Sequence, residues 1–267
     1  MNNTVEAAIH YVQKGPEKAR YHANDSSRDT VIIAPQMMSI FSARDHAVSI
    51  EDDGFELITA PSEIADLLAI HSYQEQYATE MREAILRHVG ADDVVITSPG
   101  ILRFSEAREE CGDFDNSRPA RFAHIDISDA TAAIFAERSA PRPGWKRCVA
   151  YNLWRAISPA PQDVPLALCS ATSTQGDDLI PATAVFDVKG APEWTFEGLT
   201  FAYHPKHRWY WYPDMHRDEA ILFVTNDSER GQINAVPHVA FDNPQCAGVP
   251  GLVPRASIEL RANAYWY

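Results

Sequence analysis

Residues 123–127 have the sequence Ala-His-Ile-Asp-Ile, and the alternation of side-chain types in this stretch is the first indication of the fold. Successive side chains of a β-strand point to opposite faces, so a strand here places His124 and Asp126 on one face and Ile125 and Ile127 on the other. The stretch therefore predicts a β-strand with one apolar face and one face that presents an imidazole and a carboxylate together.

Short strand-like runs punctuated by Pro and Gly surround this stretch in the rest of the chain. They cover 94–97, 121–127, 147–157, 182–188, 201–203, 209–212, 220–225 and 256–262. Many short strands with few helices are typical of an antiparallel sandwich or jelly roll, the architecture that also hosts cupins. We therefore predict a mainly β, cupin-like jelly roll with flanking helices.

Three stretches predict helices on the outside of the sheet. Ser62 is a candidate N-cap for a helix over 62–70, and apolar residues at four-residue spacing predict a second helix over 73–88, with Gly90 as its stop. A third helix is predicted over 130–137, with Ser128 or Asp129 as its cap. These helices are expected to pack against the strands.

The length of 267 residues favours one domain. A chain of this size buries roughly three quarters of the surface that its unfolded form exposes, which is enough for a single large core. We predict one domain over 1–267, with N-terminal strands and packing helices in 1–93 and the β core in 94–267.

A metal site is predicted from His124, Asp126 and a later histidine, His238 in Val-Pro-His-Val-Ala-Phe. Two histidines and one carboxylate form the facial triad that leaves positions open on Fe(II). The spacing alone is not specific, because a second pair, His216-Arg217-Asp218, lies in a polar stretch and is better interpreted as solvated surface. The partner segment beyond His238 makes the first pair the stronger candidate.

That segment begins at Arg255 and runs Arg-Ala-Ser-Ile-Glu-Leu-Arg. In a strand, Arg255, Ser257, Glu259 and Arg261 share one face. An Arg offers a planar bidentate fork and a Ser hydroxyl adds a third donor, so Arg255 and Ser257 can together bind the remote carboxylate of a dicarboxylic 2-oxo acid. Glu259 is expected to pair with a neighbouring Arg.

Taken together, these motifs resemble the microbial hydroxylase/desaturase family of Fe(II)/2-oxoglutarate-dependent oxygenases, which includes a gibberellin desaturase and the cephem hydroxylase of cephamycin biosynthesis. The resemblance covers most of the chain and runs through 42–45, 53–57, 89–91, 123–127, 151–155, 165–169, 215–219, 226–228, 237–241 and 255–259. The chain departs from the family pattern at Ala256, where a Glu is expected, and directly after Arg155, where a Pro is expected.

The resemblance implies a double-stranded β-helix that binds Fe(II), 2-oxoglutarate and O2. It implies a ferryl species, formed with release of succinate and CO2, that hydroxylates, desaturates or oxidatively cyclises a small-molecule intermediate of secondary metabolism. His124, Asp126 and His238 are then the metal ligands and catalytic residues, and Arg255, Ser257 and Asn152 contact the co-substrate. Arg155 and Tyr210 are the candidates for substrate binding.

Two other classes of function remain open at this point. A cupin-like metal-dependent hydrolase or isomerase would use the same His, Asp and His without 2-oxoglutarate. A metal-free jelly-roll binding protein would use the aromatic run over 209–212 as a ligand surface. Asn152 and Arg155 fall on opposite faces of a regular strand, so at most one of them is expected to face a ligand.

The charge and composition of the chain argue against some classes of binding partner. The formal charge of −14 and the lack of a basic stripe argue against nucleic acid, and no run of the sequence approaches the roughly 20 apolar residues of a membrane span. Four cysteines, Cys111, Cys148, Cys169 and Cys246, form no Cys-x-x-Cys pair, which favours free thiols in a reducing compartment. We expect a cytoplasmic enzyme with a small-molecule substrate, and a homodimer is one option for its assembly.

Overall fold

The structure is a computed structural model that describes residues 4–108, 117–188, 190–229 and 235–267. Within these residues the chain forms strands β1 Val5–Gln13, β2 Ala19–His22, β3 Ile32–Ser42, β4 Phe55–Thr59, β5 Asp93–Ile96, β6 Ile101–Phe104, β7 His124–Ile125, β8 Arg147–Ala156, β9 Leu166–Cys169, β10 Leu179–Phe186, β11 Trp194–Phe201, β12 Trp209–Trp211, β13 Glu219–Asp227, β14 His238–Ala240 and β15 Ala256–Trp266, with helices α1 Gln74–Val89 and α2 Asp129–Ser139.

The strands form two sheets. A nine-stranded sheet has the order β1-β3-β12-β9-β14-β7-β11-β10-β2, and a second sheet has the order β4-β13-β8-β15-β5, with β6 paired to β15. Segment 1–93 contributes β1, β2 and β3 to the first sheet and β4 to the second. The predicted jelly-roll architecture is confirmed.

The second sheet is buried on both of its faces, and the alternation along β15 divides them. Ala256, Ile258, Leu260 and Ala262 belong to a large apolar core that also contains Tyr77, Met81 and Ile85 of α1. Fully burying a Leu or Ile side chain contributes roughly 1.5–3 kcal/mol, so this helix-covered face carries much of the hydrophobic stabilisation. The opposite face of the sheet looks toward the nine-stranded sheet.

Helix α1 confirms the prediction for 73–88 and ends at Gly90, which has a left-handed φ of 65°. Helix α2 confirms the third prediction, and its N-cap is Ser128, whose hydroxyl accepts from the backbone N–H of Thr131. The predicted helix over 62–70 is wrong. The chain there forms a short 3-10 helix only over Leu67–Ser72, and the Ser62 hydroxyl instead donates to Glu80 of α1.

Three of the four cysteines lie in the described residues, and Cys148, Cys169 and Cys246 are all free and buried. Cys111 lies outside the described residues. The free thiols agree with the sequence prediction for these three positions.

Candidate metal centre

The three predicted metal ligands meet at the cavity side of the nine-stranded sheet. His124 in β7 and His238 in β14 are directly opposite each other on antiparallel neighbours, with ring centroids 4.3 Å apart. Asp126 directly follows β7. One ligand atom from each of the three side chains lies within 4.8 Å of the others, a spacing that suits a single metal ion.

Backbone carbonyls fix the orientation of both imidazoles. The Nδ1 atom of His124 lies 3.0 Å from the carbonyl oxygen of Phe122, and Nδ1 of His238 lies 3.1 Å from that of Val236. Nδ1–H is the donor that these carbonyls require, which leaves each Nε2 with a lone pair. The two Nε2 atoms lie 3.6 and 3.7 Å from the same carboxylate oxygen, Oδ1 of Asp126.

The other carboxylate oxygen of Asp126 is engaged by the second sheet. The amide Nδ2 of Asn152 donates to Oδ2 at 3.3 Å, and Nε of Arg261 lies 3.6 Å from the same atom. Burial raises the pKa of Asp126, but Arg261 and the two histidines outweigh it and hold this pKa well below its usual range. Burial and the neighbouring His124 lower the pKa of His238 to about 4. Asp126 is therefore charged and His238 neutral near pH 7, as metal ligands must be.

Gly198 in β11 lets the bend that carries Asp126 lie close to this strand. A Cβ atom at position 198 would come within 2.9 Å of the backbone oxygen of Asp126 and would also meet the Tyr21 hydroxyl. Real Cβ atoms do not approach backbone so closely, so only Gly allows this contact.

The ligands open into a cavity of about 490 Å³ between the two sheets. Trp154 of β8, Leu166 of β9 and Phe223 of β13 form apolar walls near the ligands, and the Phe223 ring centroid lies 4.7 Å from that of His238. Phe186 and Phe196 line another part of the wall, and both contact Trp194. The site is thus a pocket between the sheets in which apolar walls lie beside a polar lining that includes Asn152, Arg255 and Arg261.

Arg255 lies in the same cavity, and the described residues leave much of its side chain unpaired. It is 1% exposed, and its Nε and Nη2 atoms have no hydrogen-bond partner within the described residues. The guanidinium lies 5.7 Å from the Trp154 ring centroid, and burial lowers its pKa to about 10. A buried cation with unused donors is costly, so this position fits an anionic ligand.

A nearby carboxylate orients the Arg255 backbone and leaves its side chain unpaired. Oδ1 of Asp163 accepts from the Arg255 backbone N–H at 2.7 Å, and its Oδ2 accepts from the Ser105 hydroxyl at 2.6 Å. Both oxygens of Asp163 therefore have partners other than the guanidinium of Arg255.

Ser257 and Glu259 follow Arg255 on the same strand face. The Ser257 hydroxyl is fully buried and donates to the backbone oxygen of Arg103 at 3.3 Å; this residue is not among those that line the cavity. Glu259 lines the cavity and accepts from Arg103 at 2.7 Å and Arg261 at 3.1 Å. The predicted pairing of Glu259 with a neighbouring Arg is confirmed.

The two candidate substrate residues lie away from the cavity. Arg155 is fully buried on the helix-covered face, where it donates to the backbone oxygen of Ala60 at 2.6 Å and contacts Sδ of Met81 at 2.9 Å. Tyr210 is packed in an aromatic cluster with Phe41, His46 and Phe55. Asn152 and Arg155 lie on opposite faces of β8, as the alternation predicts, and of the two only Asn152 lines the cavity.

Other predictions for polar residues are also settled by position. His216 and Asp218, the second His-x-Asp pair, are exposed, as predicted for solvated surface. Sequence reasoning did not identify Arg261, Trp154 or Phe223 as parts of the site. Alternation already placed Arg261 on the Arg255 face, but only the pairing of β15 with β8 reveals that it lies opposite Asn152.

Comparison with known proteins places this site in a family. A family model described as YDMC, oxidoreductase/YMDC permease-like domain, matches residues 6–265. The chain belongs to this family. In the described residues, no helix combines the length and apolar character needed to cross a membrane.

The chain is also similar to curated relatives, and its fold matches that of a solved structure. The chain is 28% identical to hydroxylase/desaturase CTB9 of Cercospora beticola, over 83% of the chain and 73% of the relative. It is 27% identical to the alpha-ketoglutarate-dependent dioxygenase phiK of Fungal sp., over 97% and 95%. The fold matches the iron and alpha-ketoglutarate-dependent endoperoxidase NvfI with a TM-score of 0.80 at 21% identity, over 98% of each chain.

These relatives confirm the predicted resemblance to hydroxylases and desaturases of this kind. They also confirm the predicted enzyme class, a non-haem Fe(II)/2-oxoglutarate-dependent dioxygenase.

Proposed function

We propose that His124, Asp126 and His238 are the residues that hold Fe(II) in this dioxygenase. The observation that carries the proposal is the convergence of two imidazole Nε2 atoms on one carboxylate oxygen, at 3.6 and 3.7 Å, inside a cavity that also contains the unpaired Arg255. Two nitrogen ligands and one carboxylate leave positions open for a bidentate co-substrate and for O2.

Arg255 is the proposed anchor for the remote carboxylate of 2-oxoglutarate. Its unused Nε and Nη2 atoms lie on neighbouring corners of the guanidinium and can donate in parallel to one carboxylate. Asn152 is the proposed polar contact beside the iron, because its buried Oδ1 has no partner among the described residues while its Nδ2 engages Asp126. Ser257 stays a candidate third donor, and its hydroxyl would turn from Arg103 to the co-substrate.

Iron bound with 2-oxoglutarate and O2 supplies an oxidant strong enough for unactivated C–H bonds, and the reaction releases succinate and CO2. The chain positions the co-substrate and shields the reacting centre from water. Arg255 and the triad fix the two ends of the co-substrate, whereas Trp154, Leu166 and Phe223 exclude water from the reacting centre.

The proposed substrate is a small-molecule intermediate of secondary metabolism that is hydroxylated, desaturated or oxidatively cyclised. The names of the fungal relatives support this class, and a cavity of about 490 Å³ has room for a compact molecule beside 2-oxoglutarate. Phe186 and Phe196 offer an aromatic wall to such a molecule. A cytoplasmic location is supported by the free thiols of Cys148, Cys169 and Cys246.

An anaerobic titration tests the proposal. Metal-free protein is loaded with Fe(II) and titrated with 2-oxoglutarate, and the weak visible charge-transfer absorption of the chelate is expected to appear. The variants His124→Ala and His238→Ala are expected to lose the band through loss of iron, and the exposed His216→Ala is the matched control that keeps it.

The outcome separates the classes of function. Metal binding without the band, and no succinate in air with any candidate substrate, would indicate a hydrolase or isomerase that uses the same ligands. No metal binding at all would indicate a metal-free binding protein. Either result would overturn the proposed function.

A further inference from the structure

We propose that Arg261 and Asn152 act as a cross-strand clamp that positions the metal-ligating carboxylate of Asp126. This inference rests on the proposed function, because it assigns residues to the same metal centre. Neither residue belongs to the His-x-Asp, His or Arg-x-Ser motifs. The two residues are direct partners in the antiparallel pairing of β15 with β8, so their side chains rise from the same face of the sheet.

Both side chains reach the same atom. Nδ2 of Asn152 lies 3.3 Å and Nε of Arg261 lies 3.6 Å from Oδ2 of Asp126, whereas both histidines approach Oδ1. The carboxylate is thus divided between two tasks, with one oxygen held by the second sheet and the other directed at the imidazoles. A carboxylate held in this way offers the metal one oxygen, which keeps the remaining positions for the co-substrate and O2.

Glu259 holds the Nη2 corner of the Arg261 guanidinium. Its Oε1 atom accepts from Nη2 of Arg261 at 3.1 Å and from Nη2 of Arg103 at 2.7 Å. With Nη2 held by Glu259, the neighbouring Nε lies 3.6 Å from Oδ2 of Asp126, which is an ion-pair contact rather than a hydrogen bond. Carboxylates and guanidinium groups therefore alternate in the order Asp126, Arg261, Glu259 and Arg103. Each charge has an opposite charge beside it, which matters because an unbalanced charge is costly where water is excluded.

The contact with Asp126 fixes the orientation of the Asn152 side-chain amide. With its amide reversed, the Asn152 oxygen would face the Asp126 carboxylate, and two acceptors would repel each other. The amide nitrogen is therefore committed to Asp126, and Phe223 lies directly opposite Asn152 on β13, its other neighbour strand. The clamp spans the gap between the two sheets, since Asp126 belongs to the loop after β7 of the nine-stranded sheet.

The test measures metal binding in the absence of turnover. Metal-free full-length protein is titrated with Co(II) by calorimetry and by visible absorption, which reports coordination number. Arg261→Met is expected to weaken Co(II) binding about 10- to 100-fold, the usual effect of removing a partner of a metal ligand. It is also expected to change the absorption bands, because the freed carboxylate can offer both oxygens. Arg261→Lys is expected to recover part of the affinity.

Arg103→Met is the matched control. It removes the same charge and a contact with the same Glu259, but no contact joins Arg103 to Asp126 among those that the described residues give. It is expected to keep the Co(II) affinity within about threefold of the unaltered protein. Asn152→Ala removes the other arm of the clamp and provides the measurement if Arg261→Met does not fold.

Unchanged affinity and spectrum in both Arg261→Met and Asn152→Ala would overturn the clamp and leave Arg261 to substrate or to folding. An equal loss in Arg103→Met would also overturn it and assign the effect to charge alone. Failure of the unaltered protein to bind Co(II) is a different result, because it rejects the proposed metal centre itself.

Discussion

The two faces of the second sheet each bury one arginine, and the two arginines differ in what they contact. Arg155 is 0% exposed and Arg255 is 1% exposed. On the helix-covered face, Arg155 donates to the backbone oxygens of Ala60 and Arg217 at 2.6 and 3.3 Å and lies 5.4 Å from the Tyr77 ring centroid. On the cavity face, no side-chain hydrogen bond of Arg255 is found among the described residues, and its Nε and Nη2 lack partners there.

The two arginines show that burial of a charged side chain does not by itself indicate its role in this molecule. The Nε of Arg155 also lacks a partner among the described residues, but its two terminal nitrogens donate to backbone oxygens, whereas Arg255 has no side-chain hydrogen bond there. A charge held by acceptors of the chain itself stabilises the fold, whereas a charge without them raises the cost of folding and is available to a ligand. Equal burial therefore does not indicate equal roles. Substitutions at the two positions should have opposite consequences.

The largest effect is expected for Arg255→Met. Loss of the guanidinium should weaken 2-oxoglutarate binding at least about 100-fold, close to 3 kcal/mol, since a buried charge-assisted bidentate contact disappears. Stability should stay the same or increase, because an unpaired buried charge is removed. Titration of the Fe(II) protein with 2-oxoglutarate measures the affinity, and urea unfolding measures the stability. A stability loss with unchanged co-substrate affinity would break the comparison.

Arg155→Met should show the reverse pattern. The free energy of unfolding is expected to fall by about 2–4 kcal/mol, because the carbonyls of Ala60 and Arg217 lose a buried donor. The protein that remains folded should bind 2-oxoglutarate with unchanged affinity. Urea unfolding measures the first quantity and the charge-transfer titration measures the second. A weaker affinity for 2-oxoglutarate with unchanged stability would indicate that Arg155 takes part in ligand binding.

Ser257→Ala tests whether the Ser257 hydroxyl contacts the co-substrate as Arg255 is proposed to do. If the hydroxyl turns to the co-substrate, the dissociation constant of 2-oxoglutarate should rise about fivefold, or about 1 kcal/mol, which is less than for Arg255→Met. The same titration measures it. If the affinity is unchanged and only stability falls, Ser257 serves the Arg103 carbonyl alone.

The smallest effect is expected from a change of pH up to pH 10. Burial lowers the pKa of Arg255 from 12.5 to about 10. The protonated form binds the dianion, so affinity for 2-oxoglutarate should be nearly constant up to pH 9, about twofold lower at pH 10, and fall roughly tenfold per further unit. Between about pH 10 and 12.5 the unfolded chain binds more protons at this group, so its contribution to stability rises with pH. Arg255→Met should abolish the step in affinity, and a step that persists belongs to another group.

Local sequence patterns predicted the regular elements well and the irregular ones poorly. The four-residue spacing and Gly90 gave helix α1, and Ser128 gave the start of α2. The helix predicted over 62–70 is wrong: the short 3-10 helix begins at Leu67 with Asp66 as its N-cap, and the Ser62 hydroxyl donates to Glu80 of α1, a partner distant in sequence. Strands β6, β9, β11 and β14 carry short or irregular patterns, so only pairing with neighbours in the sheets identified them or their limits.

The sequence by itself predicted which side chains could face the site together. Alternation in a strand predicted His124 with Asp126 and Arg255 with Glu259 and Arg261, because a period of two requires no knowledge of the neighbours. The predicted strand over 121–127 is shorter in the structure, where Asp126 lies just after β7 and Arg255 just before β15. It also limited Asn152 and Arg155 to opposite faces. These inferences use only the geometry of a single strand.

Only the tertiary structure decided which face was which. The packing of α1 buries Arg155 and leaves Asn152 to the cavity, and the pairing of β15 with β8 brings Arg261 opposite Asn152. Long-range pairing joins His124 to His238 across 114 residues of sequence and turns both toward Asp126. Contacts of this kind depend on the three-dimensional order of the strands, which local side-chain patterns do not encode.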